Sequence, residues 1–209
     1  MPVVKLGQKL PAWCDVSSYE IFNLEKGQKK EIALKDKKAA VVICAGTGVV
    51  STADGGKTGY TAEAILMLTE GFEIYAETTL EVCVVHGDLG EKCVWFGLFT
   101  VNEAGKETAV DAGTKADYFR NSDFDNHYHD CDEYWIILSG SGTAYTENKP
   151  FEVEAGDCVI TGAGWHHDFP VVKTPVRGVY YETTMTGQKR GGHLHEHTHG
   201  AAVPQKNKV

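Results

Sequence analysis

Asn126-His127-Tyr128-His129-Asp130-Cys131-Asp132-Glu133 sets two histidines one residue apart and a glutamate four positions after the second. Residues i and i+2 of a β-strand face the same side, so His127 and His129 aim both imidazoles at one point. Glu133 adds an anionic oxygen. Two neutral ring nitrogens and a carboxylate suit one divalent transition metal such as Mn, Fe, Ni or Zn. A third histidine, His167, lies in a second segment of the right kind. Cys131, inside the acidic turn, reads as a turn residue facing away from the ion.

Outward from that stretch, the chain has 209 residues, 42% hydrophobic and 23% charged, enough for one large domain or two small ones. A formal net charge of −9 argues against nucleic acid as a partner, because phosphate contacts need a basic surface. No apolar run reaches the length of a membrane span, and Met1-Pro2-Val3-Val4-Lys5 does not open a secretory signal. The six scattered cysteines, with no C-x-x-C, read as reduced thiols, and the expected location is cytoplasmic.

Twenty-three glycines punctuate short runs rich in Val, Ile, Tyr, Phe and Thr, the pattern of an all-β protein. Expected strands are Lys30 to Leu34, Ala39 to Cys44, Gly71 to Ala76, Leu80 to Val85, Cys93 to Thr100, Tyr134 to Leu138, Gly142 to Thr146, Asp157 to Thr161 and Gly178 to Thr183. Ala62 to Thr69 is ambiguous between helix and strand. An internal repeat matches Val41 to Val50 with Trp135 to Ala144, each an apolar strand, a Gly-x-Gly turn and another strand. Gly71-Phe72 then echoes Gly156-Asp157. Two tandem β-units follow, with a polar boundary around Asn102 to Thr114. The expected division is 1–105 for a first β-unit without metal ligands, 106–187 for a metal-binding β-unit and 188–209 for a His-rich polar tail. The last nine residues are expected to be disordered.

These residues resemble the cupin superfamily. Its first motif, G-x5-H-x-H-x(3,4)-E-x6-G, is met by His127, His129, Glu133 and Gly140, with Asn121 in place of the first glycine; Asn also tolerates the left-handed backbone. The second, G-x5-P-x-G-x2-H-x3-N, is met by Gly156, Gly164 and His167, with Gly162 for the proline and Val171 for the final asparagine. The resemblance implies jelly-roll, double-stranded β-helix barrels and a tandem bicupin with a degenerate N-terminal barrel. It also implies a metal held by His127, His129, Glu133 and His167. His166 competes with His167, and the motif spacing favours His167, leaving His166 as a pocket group. Aligned on the Gly-x-Gly, Ala33, Lys35 and Ala39 replace the first three ligands in the first repeat. Counted ungapped from Gly71, Val82 stands opposite His167.

Further candidates surround that set. Trp135 and Ile137 share the face of Glu133 and are expected inside the barrel, Trp135 as core or as a substrate wall. Asp168 is a candidate to orient an imidazole. Of Tyr180, Tyr181 and Glu182, one alternating set must face inward, and Glu182 is a candidate general base. Glu133, Glu182 and His166 are thus the expected catalytic groups. His193, His195, His197 and His199 alternate strictly, either as a second metal site or lid or as a polar tail. The expected function is metal-dependent chemistry on an oxygenated small molecule such as a sugar, hydroxy-ketone or keto acid. Its form is proton transfer of the isomerase or lyase kind. An Fe(II) dioxygenase and a non-catalytic small-ligand sensor are the alternatives. The expected partners are a small-molecule substrate and a second copy in a homodimer.

Overall fold

The structure, a computed structural model, describes residues 2–90, 95–103, 118–122, 124, 128, 130–183 and 203–209. His127, His129, Cys93 and the run His193 to His199 lie outside the described residues. Among the described residues every regular element is a strand. The strands are β1 (Val3–Val4), β2 (Val16–Leu24), β3 (Lys29–Ile32), β4 (Lys38–Ala45), β5 (Thr47–Thr52), β6 (Lys57–Thr61), β7 (Ile65–Leu68), β8 (Phe72–Ala76), β9 (Leu80–Gly87), β10 (Trp95–Val101), β11 (Glu133–Thr146), β12 (Lys149–Glu154), β13 (Cys158–Thr161) and β14 (His167–Glu182). The ambiguous run Ala62 to Thr69 is therefore strand β7. The unexpected β2 has a register shift between Val16 and Ser18, which breaks its alternation in sequence.

The chain divides into two units, residues 6–90 and residues 1–5 with 91–209. In the first, two four-stranded antiparallel sheets, ordered β2-β9-β4-β7 and β3-β8-β5-β6, enclose a core that includes Val41, Ile43, Phe72, Ile74, Val82 and Val84. In the second, one sheet runs β1-β13-β11-β14-β10, with β12 on β11. Its core includes Trp135, Ile137, Val159, Phe169 and Val176. The first two residues of regular structure thus pair into the second unit, through Val3↔Val159 and Val4↔Cys158.

The two units repeat one plan. Glu133 of β11 pairs with Thr161 and Glu182, and Ala39 of β4 pairs with Leu68 and His86. Ala39 is therefore the counterpart of Glu133, in agreement with the alignment on the Gly-x-Gly. That motif does not reverse the chain. It bends a continuing path past a crossing strand: the Cβ positions of Gly46 and Gly140 lie 2.1 Å from Thr79 O and Pro175 O, at φ +82° and +87°. Only glycine fits both the backbone and the space. Tyr134 to Leu138 and Gly142 to Thr146, expected as two strands, are therefore one strand, β11.

The second landmark of the repeat is corrected by the hydrogen bonds. Gly156 N–H donates to Ile137 O and Glu63 N–H donates to Ile43 O, both at 2.8 Å, and both residues have positive φ. Glu63, not Gly71, is the counterpart of Gly156. A glutamate occupies the left-handed position in the first unit, which hid the equivalence. Consequently Phe72, paired with Thr52, is the counterpart of His167, paired with Thr146, and Val82 is not. Asn121 is also corrected. It is absent from the left-handed residues, and its side chain instead clasps Val172, donating to its O at 3.0 Å and accepting from its N–H at 2.8 Å.

His86 is the counterpart of Glu182 and is fully buried. Its Nδ1 accepts from Lys35 N–H at 3.4 Å, and its Nε2 lies 3.6 Å from Glu20 Oε1. Glu20 also holds Lys30 at 2.7 Å and Lys35 at 3.2 Å. Burial pushes the His86 pKa down and Lys35 adds to this, against an upward pull from Glu20 and Asp36. A depressed histidine leaves the unfolded chain binding more protons than the native one. Stability is then complete above the unfolded value of about 6.5 and falls as pH drops below it. His86→Gln should flatten this acid-side loss when melting temperature is followed from neutral to mildly acidic pH. A wild-type slope retained in the variant refutes the assignment. Separately, Gly140→Ala should cost at least about 2 kcal/mol, because left-handed strain and overlap with a backbone carbonyl add; chemical denaturation measures it.

Candidate metal centre

Glu133 opens β11 immediately after the acidic turn, flanked by Thr161 on β13 and Glu182 on β14. Residues two apart share a face, so Glu133, Trp135 and Ile137 look inward together, and Trp135 and Ile137 are both core residues. On β14 the pairing register sets Tyr180 opposite Trp135 and Glu182 opposite Glu133. His167 stands at the other end of β14, opposite Thr146. Because the two long strands curl round the core, His167 returns across the interior. Its Nε2 lies 2.8 Å from Glu133 Oε2, and its ring meets Trp135 edge-on at 5.4 Å between centroids.

The turn before β14 sets the orientation of that imidazole. Trp165 N–H donates to Gly162 O at 3.1 Å, closing a turn over Gly162–Trp165. His167 Nδ1 lies 3.1 Å from Trp165 O. A proton on Nδ1 donated to that carbonyl turns the Nε2 edge of the ring toward Glu133, the usual orientation behind a ligating histidine. The orienting acceptor is thus a backbone carbonyl. Asp168, the residue expected to orient an imidazole, faces the other side of the strand. It accepts from Tyr118 Oη at 2.9 Å and pairs with Arg120 at 3.2 Å.

His166 belongs to that other side as well. Its ring meets Tyr145 at 6.2 Å, and Tyr145 stacks on Tyr118 at 4.3 Å. Burial, with the charges of His167 and Arg120, pushes the His166 pKa down to about 4. Of the two histidines, His167 is the one that meets Glu133.

Glu182 is buried, 7% exposed like Glu133. Cys131, expected to face away, is buried, with Sγ 4.0 Å from Glu182 Oε2. Tyr180 shares the inner face; burial first, then Glu182 and Glu133, push its phenol pKa up. It stays a hydrogen-bond donor at neutral pH. A carboxylate oxygen and an imidazole nitrogen converge here, with a second buried carboxylate on the neighbouring strand, and these donor types suit a divalent cation. Among the described residues no group of three His, Cys, Asp or Glu side chains gathers to hold an ion; His127 and His129 lie outside them.

The C-terminus is a feature the sequence did not disclose. Residues 203–209, expected to be disordered, dock on the turn that carries His167. Gln205 N–H donates to Ala163 O at 3.0 Å, and Trp165 Nε1–H donates to Gln205 O at 3.3 Å. Lys208 Nζ donates to Asp132 Oδ2 at 2.6 Å, and Ala163 N–H donates to Asp132 Oδ1 at 2.8 Å. A Cβ on Gly164 would lie 2.3 Å from Val203 O, so the small residue admits the segment. Asp132 directly precedes Glu133, and the docked segment therefore ties together the two loops that present Glu133 and His167.

The profile described as Cupin domain matches residues 120–179. A Sinorhizobium fredii protein (strain NBRC 101917 / NGR234) described as "Uncharacterized protein y4oW" is 36% identical over 213 residues, covering 100% of this chain and 97% of that one. Among solved structures, the AerE protein of Microcystis aeruginosa aligns with TM-score 0.56 and 7% identity, over 86% of this chain and 98% of that one. An IolB-like protein of Salmonella typhimurium aligns with TM-score 0.54 and 14% identity, over 95% and 98%. An oxalate decarboxylase of Bacillus subtilis, studied for its Mn(II) centres, aligns with TM-score 0.58 and 9% identity, over 88% and 72%. These likenesses concern the jelly-roll fold. No helix among the described residues is long and apolar enough to cross a membrane.

Asp132→Ala removes a buried carboxylate that holds both Lys208 and Ala163 N–H. It should lower stability by about 2 kcal/mol, and Lys208→Ala by about 1 kcal/mol because the ammonium is partly exposed. Thermal unfolding measures both, and equal melting temperatures for wild type and Asp132→Ala would refute the tie.

Proposed function

Because the chain belongs to the cupin superfamily, we propose that it is a metal-dependent small-molecule enzyme moving a proton beside a carbonyl, in the manner of an isomerase or lyase. The observation that carries this reading is the 2.8 Å approach of His167 Nε2 to Glu133 Oε2, with Glu182 buried opposite Glu133. His127, His129, Glu133 and His167 would hold one divalent ion, Mn, Fe, Ni or Zn. When bound, such an ion supplies Lewis-acid polarisation of a substrate carbonyl oxygen.

The chain's own residues account for the rest. Glu182 is the base: it lies on the same inner face as Glu133 and is shielded from bulk water, where a carboxylate takes a C–H proton most effectively once the substrate has entered. The Tyr180 phenol, held protonated by burial and by the two carboxylates, donates a hydrogen bond to a substrate oxygen. Trp135, Phe99 and Phe124 pack against one another beneath the site. Their apolar surface favours a small carbonyl compound, such as a keto acid or hydroxy-ketone, over a polyol. His166, on the opposite side of β14, takes no part in the proton transfer.

Three measurements test this. Glu133→Ala and His167→Ala should each lower Mn(II), Ni(II) or Zn(II) affinity by about 10–100-fold or more, measured by calorimetry with the fold checked by circular dichroism. Glu182→Gln should keep the metal and lose about 10²–10⁴-fold in the rate at which a keto-acid or hydroxy-ketone panel exchanges hydrogen for deuterium in heavy water. Undiminished exchange in Glu182→Gln would falsify the base assignment. Oxygen uptake by the Fe(II) form on adding substrate would replace proton transfer with dioxygenase chemistry, the other outcome the same ligand set supports.

A further inference from the structure

Among the described residues β7 is the last strand of its sheet, paired with β4 alone. Its counterpart in the second unit, β13, is not last: β1 lies along its outer side, and Ile160 N–H donates to Pro2 O at 2.7 Å. Tyr134↔Ile160 in one unit corresponds to Ala40↔Met67 in the other. Met67 therefore holds the place at which Ile160 receives a strand.

Both ladders start from the same bulge. Ile137 N–H donates to Asp157 O and Ile43 N–H donates to Ala64 O, each at 2.9 Å. Alternation along an antiparallel pair then turns the backbone groups of Leu66 and Leu68 toward β4 and those of Ile65 and Met67 outward. No hydrogen bond among the described residues closes that outer side. The side chains agree: Leu66 is buried and Leu68 packs on the core, while Ile65 is 38% and Met67 41% exposed. Ile65-Leu66-Met67-Leu68 carries neither the proline nor the charge that usually blunts a sheet edge.

We infer that β7 is a pairing edge, and that its occupant is β7 of a second copy of this chain, joined about a two-fold axis. The segment is self-complementary. Setting Leu66 opposite the partner's Leu66 places Ile65 opposite the partner's Met67, and Met67 opposite the partner's Ile65. Every outward N–H and C=O of Ile65 and Met67 then finds a partner, and four aliphatic side chains close over the seam. Continuing the register sets Glu63 opposite the partner's Thr69 and Glu70 opposite the partner's Ala62, so no like charges face each other. β1 on β13 shows that this fold accepts a strand at that position.

Sedimentation equilibrium on the full chain should give a dimer, twice the 22.8 kDa of one chain. Met67→Lys should raise the dimer dissociation constant by at least about tenfold, since an ammonium would lose water against aliphatic side chains, with the melting temperature of the monomer little changed. Hydrogen exchange on the wild-type chain gives a second readout that needs no variant: the Ile65 and Met67 amides should gain protection as concentration rises. A wild-type chain that stays monomeric throughout the micromolar range overturns the inference. So does a dimer indifferent to Met67→Lys, or one in which those two amides exchange at the same rate at every concentration.

Discussion

The pairing of β11 with β14 is the constraint on which the second unit depends. These are its two longest strands, and they run antiparallel from Glu133↔Glu182 at one end to Thr146↔His167 at the other. A flat ladder of that length would hold Glu133 and His167 far apart. Register shifts along it, together with the bend at Gly140, curl the strands instead until the two ends meet across the core at 2.8 Å. The candidate centre is a consequence of sheet curvature. The hydrophobic floor of Trp135, Phe169 and Val159 is what the curled sheet encloses.

The first unit keeps this geometry without its polar ends. Ala39, Phe72 and His86 stand where Glu133, His167 and Glu182 stand in the second. Ala39 and Phe72 join the core, and the one retained polar group, His86, is served by Glu20 and the Lys35 backbone. Glu20 in turn is met by Lys30 and Lys35, so a partly exposed ion-pair network completes this end of the unit. The comparison separates what the fold requires, the bulge and the Gly-x-Gly bend, from what a ligand site requires.

Much of the second unit was legible because its residues are of unmistakable type. Glu133 and His167, which motif spacing brings together, lie side by side in the structure, and the inward alternation of Trp135 and Ile137 follows from strand period alone. The errors have physical causes. Glu63 in a left-handed backbone disguised the counterpart of Gly156, so the repeat slipped and Val82 was matched with His167. Asn121 stands at a motif glycine's position, yet its side chain works as a two-point backbone clasp. Asp168 is next to an imidazole in sequence, but adjacent strand residues face opposite ways, and its partners Tyr118 and Arg120 come from a distant segment.

By itself the sequence determined the all-β class, the doubled plan and the residue types able to meet a cation, because these rest on local period, turn chemistry and spacing. Tertiary structure alone decided that both ends of β14 come to Glu133 and that a backbone carbonyl orients the His167 ring. It alone decided that Lys208 reaches Asp132 across 76 positions of chain. Those facts depend on strand register, curvature and docking, where contact is made between residues far apart in the chain, and no local pattern encodes the distance.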